Sequence, residues 1–243
     1  MRLYTEEALA QHQPISLTSP QIHYLRNVMR AGPGDTVTLF NGRDGEWTAQ
    51  IDTLSKGSST LIPQEKRRDQ LPEPGPWLLF APIKRAPLDF LVQKAVELGA
   101  AGLQPVFTDH TNSERINLDR LTANVIEAAE QCERLTVPEI RAPEKLAAIL
   151  ENWPADRHLL VCAEHGAAQG IDETLRTAPA DGEWAILIGP EGGFAPSELD
   201  LLRRLPFASL VSLGPRILRA ETAALAALTC WQAVLGDWRN SRS

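Results

Sequence analysis

The sequence predicts an α/β protein in two parts, a small β-rich module followed by a larger domain with a mostly parallel sheet. Three observations carry this. Leu71-Pro72-Glu73-Pro74-Gly75-Pro76 cannot continue a helix or a central strand, so it marks a junction near residue 72. Before it, alternating apolar runs are separated by the turn pairs Asn41-Gly42 and Asp44-Gly45. After it, strand-length apolar runs alternate with helical periods, the pattern of βα units. The expected domains are 1–71 and 72–243.

In the first part, Thr36–Phe40, Glu46–Leu54 and Ser58–Pro63 read as three strands. A helix is expected from about Pro20 to Arg30, with Ser19 as its cap. Its buried face would be Ile22, Leu25, Val28 and Met29, leaving His23, Arg26 and Arg30 on the other side. In the second part, strands are expected at Trp77–Ile83, Leu103–Phe107, His158–Ala163, Trp184–Ile188 and Leu210–Leu213. Helices are expected at Leu88–Leu98, Asp119–Glu133, Leu146–Leu150, Pro196–Leu205 and Glu221–Leu235, the last alanine-rich and apolar. Ala195 is a poor cap for the helix that Pro196 opens.

The 243 residues are 43% hydrophobic, enough for a real core. No apolar run approaches the roughly 18 to 20 residues of a membrane span, and the N-terminus lacks a signal-like region. Cys132, Cys162 and Cys230 are too far apart for a metal-ligand spacing and odd in number, so reduced thiols, a cytoplasmic location and no metal site are expected. The net charge of -7 argues against a surface that is basic all over. The excess acid falls after residue 75, so any polyanion contact is expected in the first part.

Chemistry is expected at two turns. Gly189-Pro190-Glu191-Gly192-Gly193 and Gly214-Pro215-Arg216 each follow a strand, where ligands of open α/β sheets bind. Neither carries Gly-Lys-Ser/Thr or G-x-G-x-x-G, so a nucleotide-like ligand without a phosphate chain fits better than ATP or NAD. A Gly-Pro-x-Gly-Gly turn also serves as a plain connection. Glu221 also suits the first turn of a helix, with Arg219 as its ion-pair partner. His12, His110 and His158 read as surface or packing residues, and Trp153, Trp184, Trp231 and Trp238 as core or interface.

Leu187-Ile188-Gly189-Pro190-Glu191-Gly192-Gly193-Phe194 with Glu198, and Leu213-Gly214-Pro215-Arg216-Ile217-Leu218-Arg219-Ala220-Glu221-Thr222-Ala223, resemble the RsmE family. So do His23–Asp35, Lys94–Gly99, Glu130–Arg134 and Val137–Glu139, which makes the resemblance nearly full-length. Ala220 and Ala195 depart from it, since Thr or Ser is common at both places. The resemblance implies a SPOUT-superfamily methyltransferase with a PUA-like β-barrel and a C-terminal trefoil knot. It implies S-adenosylmethionine as cofactor, N3 of a uridine in small-subunit (16S) ribosomal RNA as target, and a homodimer. Leu187, Ile188, Gly189, Glu191, Gly192, Gly193, Leu213, Gly214, Ile217, Leu218, Arg219 and Thr222 would hold the cofactor. Arg219 and then Arg216 would stabilise the anion formed at the uracil or hold a phosphate. Glu191 and Glu221 are candidate bases or orienting groups. His23, Arg26, Arg30, Lys66, Arg67 and Arg68 would contact RNA. A SPOUT enzyme of other specificity, or a non-catalytic assembly factor sensing the cofactor, are the alternatives.

Overall fold

A computed structural model of the chain describes residues 1–55, 57, 59–111, 116–163, 168–179 and 182–239. It divides into two compact units, Met1–Pro72 with Ala129–Val137, and Glu73–Ala128 with Pro138 onward.

The first unit is a five-stranded sheet in the order β1-β3-β4-β5-β2. β1 (Arg2–Tyr4) runs parallel to β3 (Thr36–Phe40); β4 (Glu46–Leu54), β5 (Ser59–Arg68) and β2 (Ile15–Ser16) complete an antiparallel run. Trp47, Ala49 and Ile51 alternate inward along β4, packing on Leu3, Leu25, Val37, Leu39 and Leu61. The Asn41–Gly45 turn is locked from within. Asn41 Oδ1 accepts from the Arg43 and Asp44 N–H groups at 3.0 and 2.8 Å. Asp44 accepts from Leu9 N–H at 2.9 Å, which lowers its pKa from the ordinary carboxylate value, with Asn41 adding to the effect.

Three expectations for this unit change. The third strand, expected to span Ser58–Pro63, runs on to Arg68 because it pairs with β4 to its end; Ser58 lies outside the described residues. The cap of α1 (Ser19–His23) is Thr18, not Ser19: Gln21 Oε1 accepts from the Thr18 N–H and hydroxyl, both at 2.9 Å. The helix then widens into a π turn at Tyr24–Val28, with Met29 N–H donating to Tyr24 C=O at 3.0 Å. The wider turn changes the angular spacing after Leu25. Leu25 is fully buried, but Val28 and Met29 are 60% and 41% exposed, so they do not join the expected buried face. β1 and β2 have no counterpart among the expected strands.

The second unit is a parallel sheet in the order β11-β13-β10-β12-β6-β7-β8. Its strands are β6 (Trp77–Phe80), β7 (Gly102–Phe107), β8 (Glu139–Ile140), β10 (Arg157–Cys162), β11 (Gln169–Gly170), β12 (Glu183–Ile188) and β13 (Ala208–Ser212), with β9 (Glu144–Lys145) also on β7. Trp184–Ile188 are all buried, as a strand covered on both faces requires. Leu79, Val106, Leu159, Val161, Ala185 and Leu187 form the centre of the core.

The helices are α2 (Arg85–Glu97), α3 (Leu118–Gln131), α4 (Leu146–Glu151), α5 (Ile171–Thr177), α6 (Pro196–Arg204) and α7 (Ala220–Val234). α7 buries Ala220, Ala224, Ala227, Leu228 and Trp231 at helical spacing, and packs on α2 and α5. β8, β9, β11 and α5 were not among the expected elements. Trp184 and Trp231 are buried, Trp153 stacks on Phe207, and Trp238 is exposed. His158 packs on the Trp184 ring.

Candidate active site

The carboxyl ends of β6, β10, β12 and β13 surround one cavity of about 520 Å³. The end of β10 supplies Cys162 and the next residue Ala163, and the start of α2 supplies its cap Lys84 and Pro87. The other walls are the two turns expected from the sequence.

The first turn folds back after Ile188. Gly193 N–H donates to Pro190 C=O at 2.9 Å, and Gly193 sits at φ 68°, a left-handed value that a side chain would strain. Phe194 lies over Gly189, where an added Cβ would come within 2.9 Å of the ring. The turn is braced from the end of β7. His110 Nδ1 lies 3.2 and 3.1 Å from the carbonyl oxygens of Gly192 and Gly193, so with Nδ1 protonated it donates into both. Glu198 accepts from Ala195 N–H at 2.8 Å and from Asp109 N–H at 3.0 Å. The first of these bonds is the backward half of a capping box, with Glu198 as the third helical residue; Ala195 has no side-chain oxygen to supply the forward half.

The second turn leaves β13 with Gly214 at φ 103° and delivers Arg219 to the cap position of α7. Arg216 and Arg219 are exposed and line the cavity, as does Ile217, 74% exposed at the rim. Among the described residues neither arginine has an ion-pair partner, so the alternative pairing of Arg219 with Glu221 is not formed. A guanidinium left open at a cavity mouth is free to meet an anionic ligand. The Cys162 thiol is the opposite kind of group. Burial, with the nearby Cys230, pushes its pKa up to about 12, so it stays protonated and acts as a soft apolar wall.

Ile188, Gly189, Glu191, Gly192, Gly193, Leu213, Gly214, Arg216, Ile217, Leu218 and Arg219 all come together on this cavity. Leu187 does not: it is fully buried in the core. Glu221 and Thr222, in the first turn of α7, are not on the wall either. Lys84, Pro87, Cys162, Phe194 and Leu199 are wall residues the sequence reading missed. Lys84 and Cys162 had a usable signal, because each follows or ends a parallel strand.

His23 and Arg26 lie on the α1–π turn segment of the first unit and Arg30 just after it, His23 and Arg30 exposed and Arg30 left-handed at φ 54°. Lys66, Arg67 and Arg68 lie on the end of β5. Lys66 is 3.4 Å from Asp69, and Arg67 is 3.9 Å from Glu65. Arg68 is committed to Glu46 and donates to Glu133 C=O at 3.1 Å, a structural placement. Among the described residues, no group of three or more His, Cys, Asp or Glu could hold a metal ion, and no helix is long and apolar enough to cross a membrane.

The comparisons agree with the two-unit fold. A family model described as an RNA methyltransferase domain matches residues 72–232, and one described as an RNA methyltransferase PUA domain matches residues 17–64. The ribosomal RNA small subunit methyltransferase E of Rickettsia conorii is 35% identical over 229 residues, covering 93% of each chain. That of Synechocystis is 32% identical over 224 residues, covering 91% of this chain and 73% of its own. Among solved structures, a ribosomal RNA small subunit methyltransferase E from Neisseria gonorrhoeae bound to S-adenosyl methionine superposes with a TM-score of 0.84 at 30% identity, covering 98% of both chains. A putative methyltransferase from Legionella pneumophila in complex with the same cofactor gives 0.84 at 30% identity over 96% of both.

Proposed function

The chain belongs to the ribosomal RNA small subunit methyltransferase E family, and we propose that it transfers a methyl group from S-adenosylmethionine to N3 of a uridine in 16S ribosomal RNA. The observation that carries this is the cavity at the strand ends, where two glycine turns meet two exposed arginines that make no ion pair among the described residues. Its residues fit the cofactor. The volume of about 520 Å³ lies within the range of small-molecule sites. Gly189, Gly192, Gly193, Leu213 and Leu218 line it without a phosphate-loop pattern, the glycines leaving backbone groups open to a ligand, and Ile188, Phe194 and Ile217 add apolar wall.

When bound, S-adenosylmethionine supplies a methyl group on a sulfonium, a good leaving group, so positioning carries much of the rate. The glycine turns hold that donor. Arg219, at the mouth, presents its guanidinium to the negative charge that develops on the uracil oxygens as N3 loses its proton. Arg216 holds the neighbouring phosphate. Glu191, exposed on the first turn, is the carboxylate placed to accept the N3 proton. Glu221 orients the start of α7.

The segment from β12 to α7 is read as a trefoil knot. Supporting this, β13 lies on the far side of β10 from β12, so the chain passes over β10 between the two turns. The enzyme is read as a cytoplasmic homodimer, with exposed Phe90, Leu201 and Trp238 as apolar surface for a second copy. The first unit is read as the RNA-binding module, using His23, Arg26, Arg30, Lys66 and Arg67.

Mass spectrometry of ribosomal RNA nucleosides from a deletion strain tests the activity. Loss of one N3-methyluridine is expected; an unchanged nucleoside pattern would overturn the reading.

A further inference from the structure

A second cavity, of about 570 Å³, lies in the same unit and shares Lys84, Pro190 and Glu191 with the first as common wall. Its remaining walls include Arg85 on α2 and Asn117 and Arg120 at the start of α3. We propose that this cleft grips an RNA phosphodiester beside the target nucleotide, with Arg85 and Lys84 as the two cationic contacts. This rests on the reading of the first cavity as the methyl-donor site.

The charge arrangement carries the argument. Three cations line the cleft against one carboxylate, Glu191. Arg120 is neutralised, since it pairs with Asp89, and Asn124 Nδ2 donates to the same carboxylate at 2.9 Å. Asn117 Oδ1 accepts from Arg120 N–H at 2.9 Å, which caps α3 and fixes that wall. On one side of the cleft the positive charge is therefore already balanced within a local network. Lys84 and Arg85 differ. Both are exposed, and among the described residues neither has an ion-pair partner. They also stand at the cap and first position of a 13-residue helix with no acidic residue in its first turn. Cations there oppose the helix dipole, so their placement does not serve the helix. An anion between them would relieve that opposition and make charge-assisted hydrogen bonds to both.

The position in the molecule selects the anion. On a chain of net charge -7, two open cations beside a methyl-donor cavity suit the backbone of a strand whose base enters that cavity. Glu191 on the shared wall repels phosphate locally, so the phosphate is seated on the α2 side and the neutral base on the Glu191 side.

The test compares wild type with Arg85→Glu, Arg85→Ala and Arg85→Lys. One readout is binding of single-stranded oligouridylate across a salt series. The other is methyl incorporation into small ribosomal subunits from a deletion strain. Arg85 lies outside the first cavity, so the cofactor dissociation constant should hold in all three variants. Arg85→Ala should weaken oligouridylate binding and raise the KM for subunits about tenfold, the cost of one charged contact. The slope of log affinity against log salt should flatten by about 0.7, the value for one phosphate contact on a single strand. Arg85→Lys should restore that slope, and Arg85→Glu should bind worse than Arg85→Ala. Oligouridylate affinity and KM unchanged in both Arg85→Glu and Arg85→Ala would overturn the proposal, as would a wild type that binds no oligouridylate. If wild type binds oligouridylate through Arg85 but methylates no subunits, the phosphate cleft stands and the proposed function falls.

Discussion

Two groups of arginines, one in each unit, are built in opposite ways. Around Glu46 in the first unit, Arg2 and Arg68 converge on a single carboxylate. Arg2 is almost enclosed. Its guanidinium lies 3.6 Å from the centre of the Phe40 ring, donates to Ala129 C=O at 2.7 Å, and also reaches Arg134 C=O. Each of its three nitrogens has an acceptor, as buried charge demands. At the second turn of the other unit, Arg216 and Arg219 are exposed and make no ion pair among the described residues. Sequence treats these residues alike. Partnering separates an arginine that holds the fold from one kept for a ligand.

The sharpest way to break this comparison is Arg219→Ala. The protein should fold and bind cofactor, while methyl transfer falls about 10² to 10³-fold, the usual cost of one charge-stabilising donor. A variant that folds, binds cofactor and methylates at the wild-type rate would put Arg219 back among surface residues. Arg2→Ala should do the reverse. Denaturant unfolding should show a loss of about 2 to 3 kcal/mol, since Glu46 keeps Arg68 but the Ala129 and Arg134 carbonyls lose their donor, with the cofactor dissociation constant unchanged. Next comes the brace on the first turn. His110→Phe keeps the ring but loses the donor, and should weaken cofactor binding by up to about tenfold by calorimetry, the upper end for one neutral hydrogen bond. His110→Asn, which places an N–H near the Nδ1 position, should recover most of that loss.

A pH series sharpens the first half of the comparison. Burial of Glu46 would raise its pKa, but Arg68 and Arg2 overcome this and hold it below the ordinary value. Asp44 is lowered by Leu9 N–H and Asn41. Both are depressed acids, so their stabilisation is present above the unfolded carboxylate pKa near about 4 and is lost as pH falls through the folded values. The melting temperature should drop over that acid range, and Glu46→Gln should flatten the drop. The smallest effect is expected from Lys66→Ala. Its pairing with Asp69 is exposed, so stability should change by less than about 0.5 kcal/mol.

The long strands and both turns were legible in the sequence because they rest on local signals: period-2 burial in β4, continuous apolar runs in β12, and glycine where the backbone turns left-handed at Gly193 and Gly214. What was missed depends on distant partners. β1, β2, β8, β9 and β11 have two or three residues each, too short for any period, and exist because a neighbouring strand pairs with them. The π turn reassigned Val28 and Met29 through one altered hydrogen-bond span. His110 carries no motif, and its part in the site comes from the end of β7 meeting a turn more than eighty residues later. Leu187 shows the converse. It belongs to a motif that borders the cavity, yet its side chain faces the core because its strand is covered on both sides.

The segment Ala129–Val137 has a consequence for how this protein could be inherited or dissected. Arg2 takes two of its carbonyl acceptors from that segment, and Glu130 Oε1 accepts from Tyr4 N–H at 2.9 Å. The β-rich module is therefore discontinuous, closed by nine residues encoded in the middle of its neighbour. A gene fragment ending at Pro72 leaves the module's arginine without those acceptors, and a transplanted module has to carry both stretches. The proline-rich junction looks like a clean seam in the sequence, but a recombination event there would cut through a finished fold.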